Sequence, residues 1–413
     1  MTVDIINLLS GTQLPERSLR QQAVENAQFS FEALLEGELP ERYAVAAFVA
    51  GLHRSPAVNF YLDLLEDETP ELVGLLHQLL ATALETAPSG PAAKGEGAAF
   101  SSRQSIDASV PDRLAAALDY AHFAVFRPAD ASPEYVQPLA RVFDADEIVT
   151  LAQLVGFLAF QLRVVQGLSV LGGTYRTGDG KGTVLLKGQH LGQPQSVASV
   201  SPEQTWERGQ VEILSYPDVV EPTRYVHHSL GWLPWVPDVS RESLTNDQID
   251  AMIRPERVNS AYFRLLARNP AALRARTLTD LDIFYNVEGG LGRAERELAA
   301  TVASRLNGCI FCASVHAGRT LEESEGRLKD VEALLDEGVE ADLGSDLWNT
   351  IARATVALTR TPVEFSEEHL QDLRDLGLAT ADIIDVIQAA AFFNWANRLM
   401  LPLGTAVLPR RYR

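Results

Sequence analysis

Glu297-Leu-Ala-Ala-Thr-Val-Ala-Ser-Arg-Leu-Asn-Gly-Cys309-Ile-Phe-Cys312-Ala-Ser-Val-His316 holds both cysteines of the 413-residue chain. As backbone it reads helix, stop, helix. Asn307-Gly308 is a helix-ending signal, because these two residues tolerate the left-handed conformation that closes a helix. The helix carrying Glu297 should end there, and another should begin near Cys309 with both thiols in its first turn. Cys309 and Cys312, three apart, then share a face and are close enough for a disulfide. His316, four residues after Cys312, falls on the same face. Backbone N–H groups and the dipole at a helix start favour thiolate, which predicts a lowered thiol pKa. The imidazole can take the thiol proton, and a carboxylate such as Glu297 can fix its tautomer. The second thiol can resolve a sulfenic acid.

Outward from this stretch, the chain reads as two copies of one unit. Glu41-Arg42 falls on Glu295-Arg296 and Leu52 on Leu306 at an offset of 254 residues. Phe157-Leu-Ala-Phe-Gln-Leu-Arg falls on Phe392-Phe-Asn-Trp-Ala-Asn-Arg at an offset of 235. The Gly/Pro-rich stretch 87–107 can supply the extra residues of the first copy and reads as a mobile loop. Both copies carry apolar residues at helical spacing, as in Leu114, Leu118, Ala121 and Val125, and in Ile351, Ala354, Ala357 and Leu358. Ser132-Pro133-Glu134 and Ser366-Glu367-Glu368 mark helix starts. The expectation is an all-α fold of two tandem helical units: residues 1–175, a linker over 176–220, and residues 221–413. Residues 172–182, which run into the linker, resemble a phosphate loop only superficially, since Lys181 is followed by Gly182. A weak strand signal covers 183–186. His227-His228 reads as packing or surface, since neighbours on a helix point apart.

The first copy has no thiol. Tyr43, Ser55, Val58 and Leu62 stand where the second has Glu297, Cys309, Cys312 and His316. His53 and His77 lie nearby in sequence; His53 could serve a decarboxylase-like site, but a lone histidine in a helical hairpin is more often structural.

The formal charge is −20 and the pI about 4.8. Such a surface repels nucleic acid and anionic membranes, so neither is an expected partner. Residues 1–22 have no secretory-signal pattern. The apolar run 151–173 is interrupted by Gln153, Gln161, Arg163 and Gln166 and reads as a buried helix. The expected location is cytoplasmic, where a Cys-x-x-Cys pair is catalytic, redox-active or metal-binding more often than structural.

Glu-x11-Cys-x2-Cys-x3-His in a small helical unit resembles the alkylhydroperoxidase (AhpD-like) branch of the carboxymuconolactone decarboxylase superfamily. The resemblance covers residues 255–404, and through the repeat it extends to a degenerate first unit. It implies a thiol peroxidase in which Cys312 attacks the hydroperoxide, Cys309 resolves the sulfenic acid as a disulfide, and His316 with Glu297 relays the proton. It implies no metal or other cofactor. Electrons would come from a dithiol donor, a lipoyl-bearing or thioredoxin-like protein, and the assembly would be a homo-oligomer, a dimer or trimer. One departure stands out: the family often has a second histidine directly before the second cysteine, and here that residue is Phe311.

Other readings of the same residues stay open: a redox switch without turnover, a thiol–disulfide oxidoreductase, a lyase or decarboxylase, or a zinc site of two thiolates and His316 completed by Glu297 or water. Near the C-terminus, Phe392, Phe393 and Trp395 read as core or pocket wall. Asn394 and Asn397 face either the pocket or a helix-packing contact, and Arg398, matched by Arg163 in the first copy, reads as structural.

Overall fold

The computed structural model describes residues 4–37, 39–106, 109–175 and 211–412. The phosphate-loop resemblance (from residue 176 on) and the strand signal at 183–186 lie outside them. The first helices are α1 (Ile5–Ser10), α2 (Gln21–Leu35), α3 (Arg42–Leu52), α4 (Val58–Glu68), α5 (Glu71–Thr86), α6 (Ser102–Ser105), α7 (Asp112–Phe126), α8 (Pro133–Ala140) and α9 (Ala145–Leu171). Later in the chain come α10 (Asn246–Ala251), α11 (Ala261–Leu266), α12 (Pro270–Tyr285), α13 (Arg293–Leu306), α14 (Ile310–Glu322), α15 (Leu328–Glu337), α16 (Asp346–Thr359), α17 (Glu367–Asp375) and α18 (Thr380–Met400). The fold is all-α. Its one sheet among the described residues is an antiparallel pair, β1 (Gly231–Pro234) with β2 (Gly404–Val407), which ties the segment before α10 to the end of α18.

Helix order explains the repeat. The hairpin α3–α4 stands in the first half where α13–α14 stands in the second, and α7, α8 and α9 correspond to α16, α17 and α18. Across the molecule α9 lies along α18 and α2 along α12. Like meets like, as across the two-fold axis of a homodimer. Both α9 and α18 are apolar on all sides, so each must be enclosed on all sides. Among the described residues α9 is the helix long and apolar enough to span a membrane, and 94% of its apolar window is buried inside the protein. Its start is fixed by a capping box, in which Asp144 accepts from the Glu147 amide and Glu147 accepts from the Asp144 amide.

Buried arginines lock the two halves together. Arg163 on α9 donates to Thr359 O at 2.7 Å and Thr361 Oγ1 at 2.9 Å. Arg398 on α18 donates back to Val125 O at 3.1 Å. The structural role expected for this matched pair is what they perform. Arg20 forks onto Asp385 at 3.0 and 2.8 Å with both side chains buried. His53 belongs to the same seam: its Nδ1 bonds Val49 O, and its Nε2 meets Arg163 Nη1 at 2.9 Å.

The Gly/Pro-rich stretch departs from expectation. It is not a free loop: Gly90 exchanges two backbone hydrogen bonds with Thr361, at 2.7 and 2.8 Å, and Phe100 stacks on His122 at 4.6 Å. Small residues let the backbone come close enough for that pairing, an effect composition does not reveal. His227 and His228 also differ from the helical expectation, since they lie in an irregular segment. They diverge there, His227 toward Glu332 at 3.9 Å and His228 onto the Tyr412 ring at 3.7 Å.

Candidate active site

Helix α13 ends at Leu306, and Gly308 takes φ +77°. A Cβ there would also stand 2.7 Å from the Cβ of Ala129, so both backbone and space require glycine. The turn is closed by the Cys309 amide donating to Ser304 O at 2.9 Å. Cys309 is the N-cap of α14, Cys312 lies in its first turn, and His316 follows one turn later. The helix-stop-helix reading of the sequence therefore holds in detail.

Glu297 is wholly buried and accepts a hydrogen bond from His316 Nδ1 at 2.5 Å. Arg293, one turn earlier, approaches the other carboxylate oxygen at 3.4 Å. Burial alone would raise the Glu297 pKa, but His316, Arg319 and Arg293 outweigh it and hold the carboxyl below its usual range. Burial pulls His316 below its usual value despite Glu297. The pair is then carboxylate and neutral imidazole, with the proton on Nδ1 and the lone pair on Nε2. Phe393 seats the ring edge-on at 4.1 Å.

The two thiols are buried and free. Here the expectation of a lowered thiol pKa is corrected. Burial pushes the Cys312 thiol well up, and Cys309 adds to the rise. The partial charge at a helix start does not offset removal from water. Two groups pull the other way: a hydrogen bond with the Asn397 side chain, and the charge of Arg276.

The asparagines divide between the two roles expected of them. Asn394 packs helices, donating to Thr359 Oγ1 and Ala390 O. Asn397 lies at the site, donating to Ser304 Oγ at 3.1 Å and accepting from Asn307 at 2.9 Å, and its side chain favours the Cys312 thiolate. Sequence reasoning marks neither Asn307 nor Arg276 as a site residue. Asn307 reads there as a helix stop, and Arg276 is one of several arginines in its stretch with no motif to distinguish it.

A cavity of about 520 Å³ opens beside Cys309. Its wall includes Cys309, Phe311, Arg305 and Trp232 from the second half and Ala131 and Pro133 from the first. Glu297 and His316 are turned to each other, and among the described residues no three His, Cys, Asp or Glu side chains are placed to hold a metal ion. The zinc alternative thus finds no ligand set among them.

Fold and site define an all-α protein with a buried vicinal dithiol beside a carboxylate–imidazole pair. Residues 270–357, which run from α12 into α16 and contain all four motif residues, match the model of the carboxymuconolactone decarboxylase family. No curated protein matches the chain.

Proposed function

We propose that the chain is a thiol peroxidase that reduces organic hydroperoxides or hydrogen peroxide. The family match supports an enzyme of oxidoreductase or lyase type. The observation that carries the peroxidase reading is the 2.5 Å pair of Glu297 and His316, with His316 one helical turn beyond the buried Cys309 and Cys312 thiols. Lyase chemistry has no use for that dithiol.

His316 takes the Cys312 proton and Glu297 steadies the imidazolium. The Cys312 thiolate attacks the terminal peroxide oxygen, the O–O bond breaks, and the alkoxide leaves as alcohol after taking the proton from His316. Cys309 then attacks the sulfenic sulfur, its own proton leaves with the hydroxide as water, and a Cys309–Cys312 disulfide remains. An external dithiol, a lipoyl-bearing or thioredoxin-like donor, restores both thiols and is itself oxidised to a disulfide. The cavity that exposes the Cys309 side of the pair supports entry of such a donor. On this reading residues 1–175 form a degenerate partner unit and 221–413 the active one.

The test is consumption of cumene hydroperoxide and hydrogen peroxide with dihydrolipoamide as reductant. Cys312→Ser should abolish turnover, and Cys309→Ser should trap a sulfenic acid on Cys312. Undiminished peroxide consumption in Cys312→Ser overturns the assignment. A second reading, a redox switch without turnover, is favoured by the burial that raises the Cys312 pKa. It predicts disulfide formation but no catalysis with any dithiol donor.

A further inference from the structure

Glu297 uses its two carboxylate oxygens differently. Oε2 accepts from His316, while Oε1 faces Arg293 in the first turn of α13, with Nε at 3.4 Å and Nη2 at 3.5 Å. Among the described residues, Arg293 and His316 are the side chains that bond this carboxylate. Glu297 is wholly buried, whereas Arg293 is partly exposed. Arg293 is itself shared. Its Nη1 lies 2.7 Å from Glu323 Oε1 at the end of α14, and its guanidinium carbon sits 4.5 Å from the centre of the Tyr285 ring. A surface depression lined by Arg293, Glu295, Glu323 and Trp348 opens on this side, and none of these four lines the cavity beside Cys309. Glu297 thus approaches the surface through Arg293, away from the cavity.

A carboxylate taken fully out of water binds a proton unless a cation or hydrogen-bond donors hold it ionised. The neutral His316 ring supplies one donor. Arg293 supplies the charge, and by facing Oε1 it leaves Oε2 for the imidazole. Glu323, at 2.7 Å, holds the guanidinium more closely than Glu297 does at 3.4 Å. A divided contact of this kind keeps Glu297 an anion without cancelling the charge that His316 needs as it becomes imidazolium.

We propose that Arg293 is a positioning residue, a latch between Glu323 at the surface and Glu297 in the core, which sets how strongly the Glu297–His316 pair holds a proton. This deepens the peroxidase reading, in which that pair takes the Cys312 proton. The other titratable groups around the pair have neighbours of their own. Arg296 on α13 donates to Ile283 O at 2.6 Å, Arg319 on α14 faces the Tyr285 ring at 5.9 Å, and Asp280 on α12 is 3.9 Å from Arg257. Cys312 lies one turn before His316, and Cys309 caps the same helix.

The test is the protonation midpoint of the pair in the full-length reduced chain, read from the Cε1–H NMR signal of His316 and assigned by its loss in His316→Gln. Removing the cation favours proton uptake, so Arg293→Gln should move the midpoint upward by about half a pH unit. Glu323→Gln removes an anion and leaves the guanidinium to Glu297, so the midpoint should move downward, by about a quarter of a unit. Arg293→Lys keeps the charge and should titrate near wild type. Loss of packing alone has no reason to follow the sign of the charge removed. An unmoved midpoint in Arg293→Gln overturns the proposal, as does movement of Arg293→Gln and Glu323→Gln in the same direction, or Arg293→Lys titrating with Arg293→Gln. Glu323 lies at the surface, so its variant tests the sign even where an Arg293 variant fails to fold. The midpoints are read without peroxide, so this proposal and the peroxidase reading can fail separately.

Discussion

Glu297→Gln isolates the proton relay from the rest of the site. The amide is nearly the same shape as the carboxylate, and its carbonyl can still accept from His316 Nδ1, so the tautomer survives and only the charge is lost. In wild type the side chain is fully buried and the bond is 2.5 Å long, so little water screens the interaction. Charge-assisted hydrogen bonds of this kind contribute about 1.5–3 kcal/mol. That contribution is largest when His316 has become imidazolium, as the Cys312 thiolate forms, so it is lost from the transition state rather than from substrate binding. We expect the reaction of reduced protein with peroxide at pH 7 to slow roughly 10- to 100-fold, with little change in KM. The acid limb of the rate profile carries an independent sign. It reports protonation of His316, whose pKa is already lowered by burial and raised only in part by Glu297. Removing the anion lowers it further, so the limb should move to lower pH. The assay is single-turnover peroxide loss between pH 4.5 and 8, with circular dichroism to show the variant is folded. A rate within twofold of wild type, or an acid limb that moves to higher pH, would refute the relay.

Two further expectations concern the fold. A Cβ at Gly156 on α9 would stand 2.6 Å from Trp395 Cδ1 and 3.3 Å from the Trp395 carbonyl oxygen, so Gly156→Val should cost roughly 2–3 kcal/mol by overpacking. Gly74 on α5 has nothing within 4 Å, so Gly74→Ala should instead stabilise by about 0.5–1 kcal/mol. Urea midpoints that move alike in the two variants would contradict this account of the seam. For pH, burial lowers His122 from 6.5 to about 4, so the unfolded chain binds its proton first as pH falls. Stability should be intact above pH 6.5 and decline toward pH 4, by about 3 kcal/mol from this group. His122→Phe, which can keep the stack on Phe100, should flatten that decline in urea midpoints measured at pH 7 and 4.5.

The sequence exposed whatever depends on local backbone chemistry. Asn307-Gly308 fixed the turn, and the three-and-four spacing placed Cys312 and His316 on one face, because a helix leaves no other arrangement. Three-dimensional surroundings were less legible. Helix-start logic has the wrong sign for the Cys312 pKa, since burial of both thiols is set by α18 and the first half, far away in sequence. Arg276 is invisible for the same reason: only the folded chain shows that an arginine in the middle of α12 lies against the rings of Phe392, Trp395 and Tyr262. Composition misleads at 87–101, where small residues serve close backbone pairing with Thr361 rather than freedom.

The thiol-free half and the half that holds the dithiol depend on each other for their shape. The reason lies in where the seam runs. Arg163 needs the carbonyl of Thr359, and Arg398 needs that of Val125, so each half completes hydrogen bonds of the other. Arg398 in turn donates to Asn394, which accepts from Asn307, and Asn307 also donates to Asn397 beside Cys312. A chain of polar contacts thus runs from Val125 in the first half to the thiol in the second. Ala129 presses on Gly308 at the turn that sets Cys309, and Ala131 and Pro133 wall the cavity on that side. Loss of the first half's fold would leave Arg398 short of the Val125 carbonyl and would open the cavity on the side of Ala131 and Pro133.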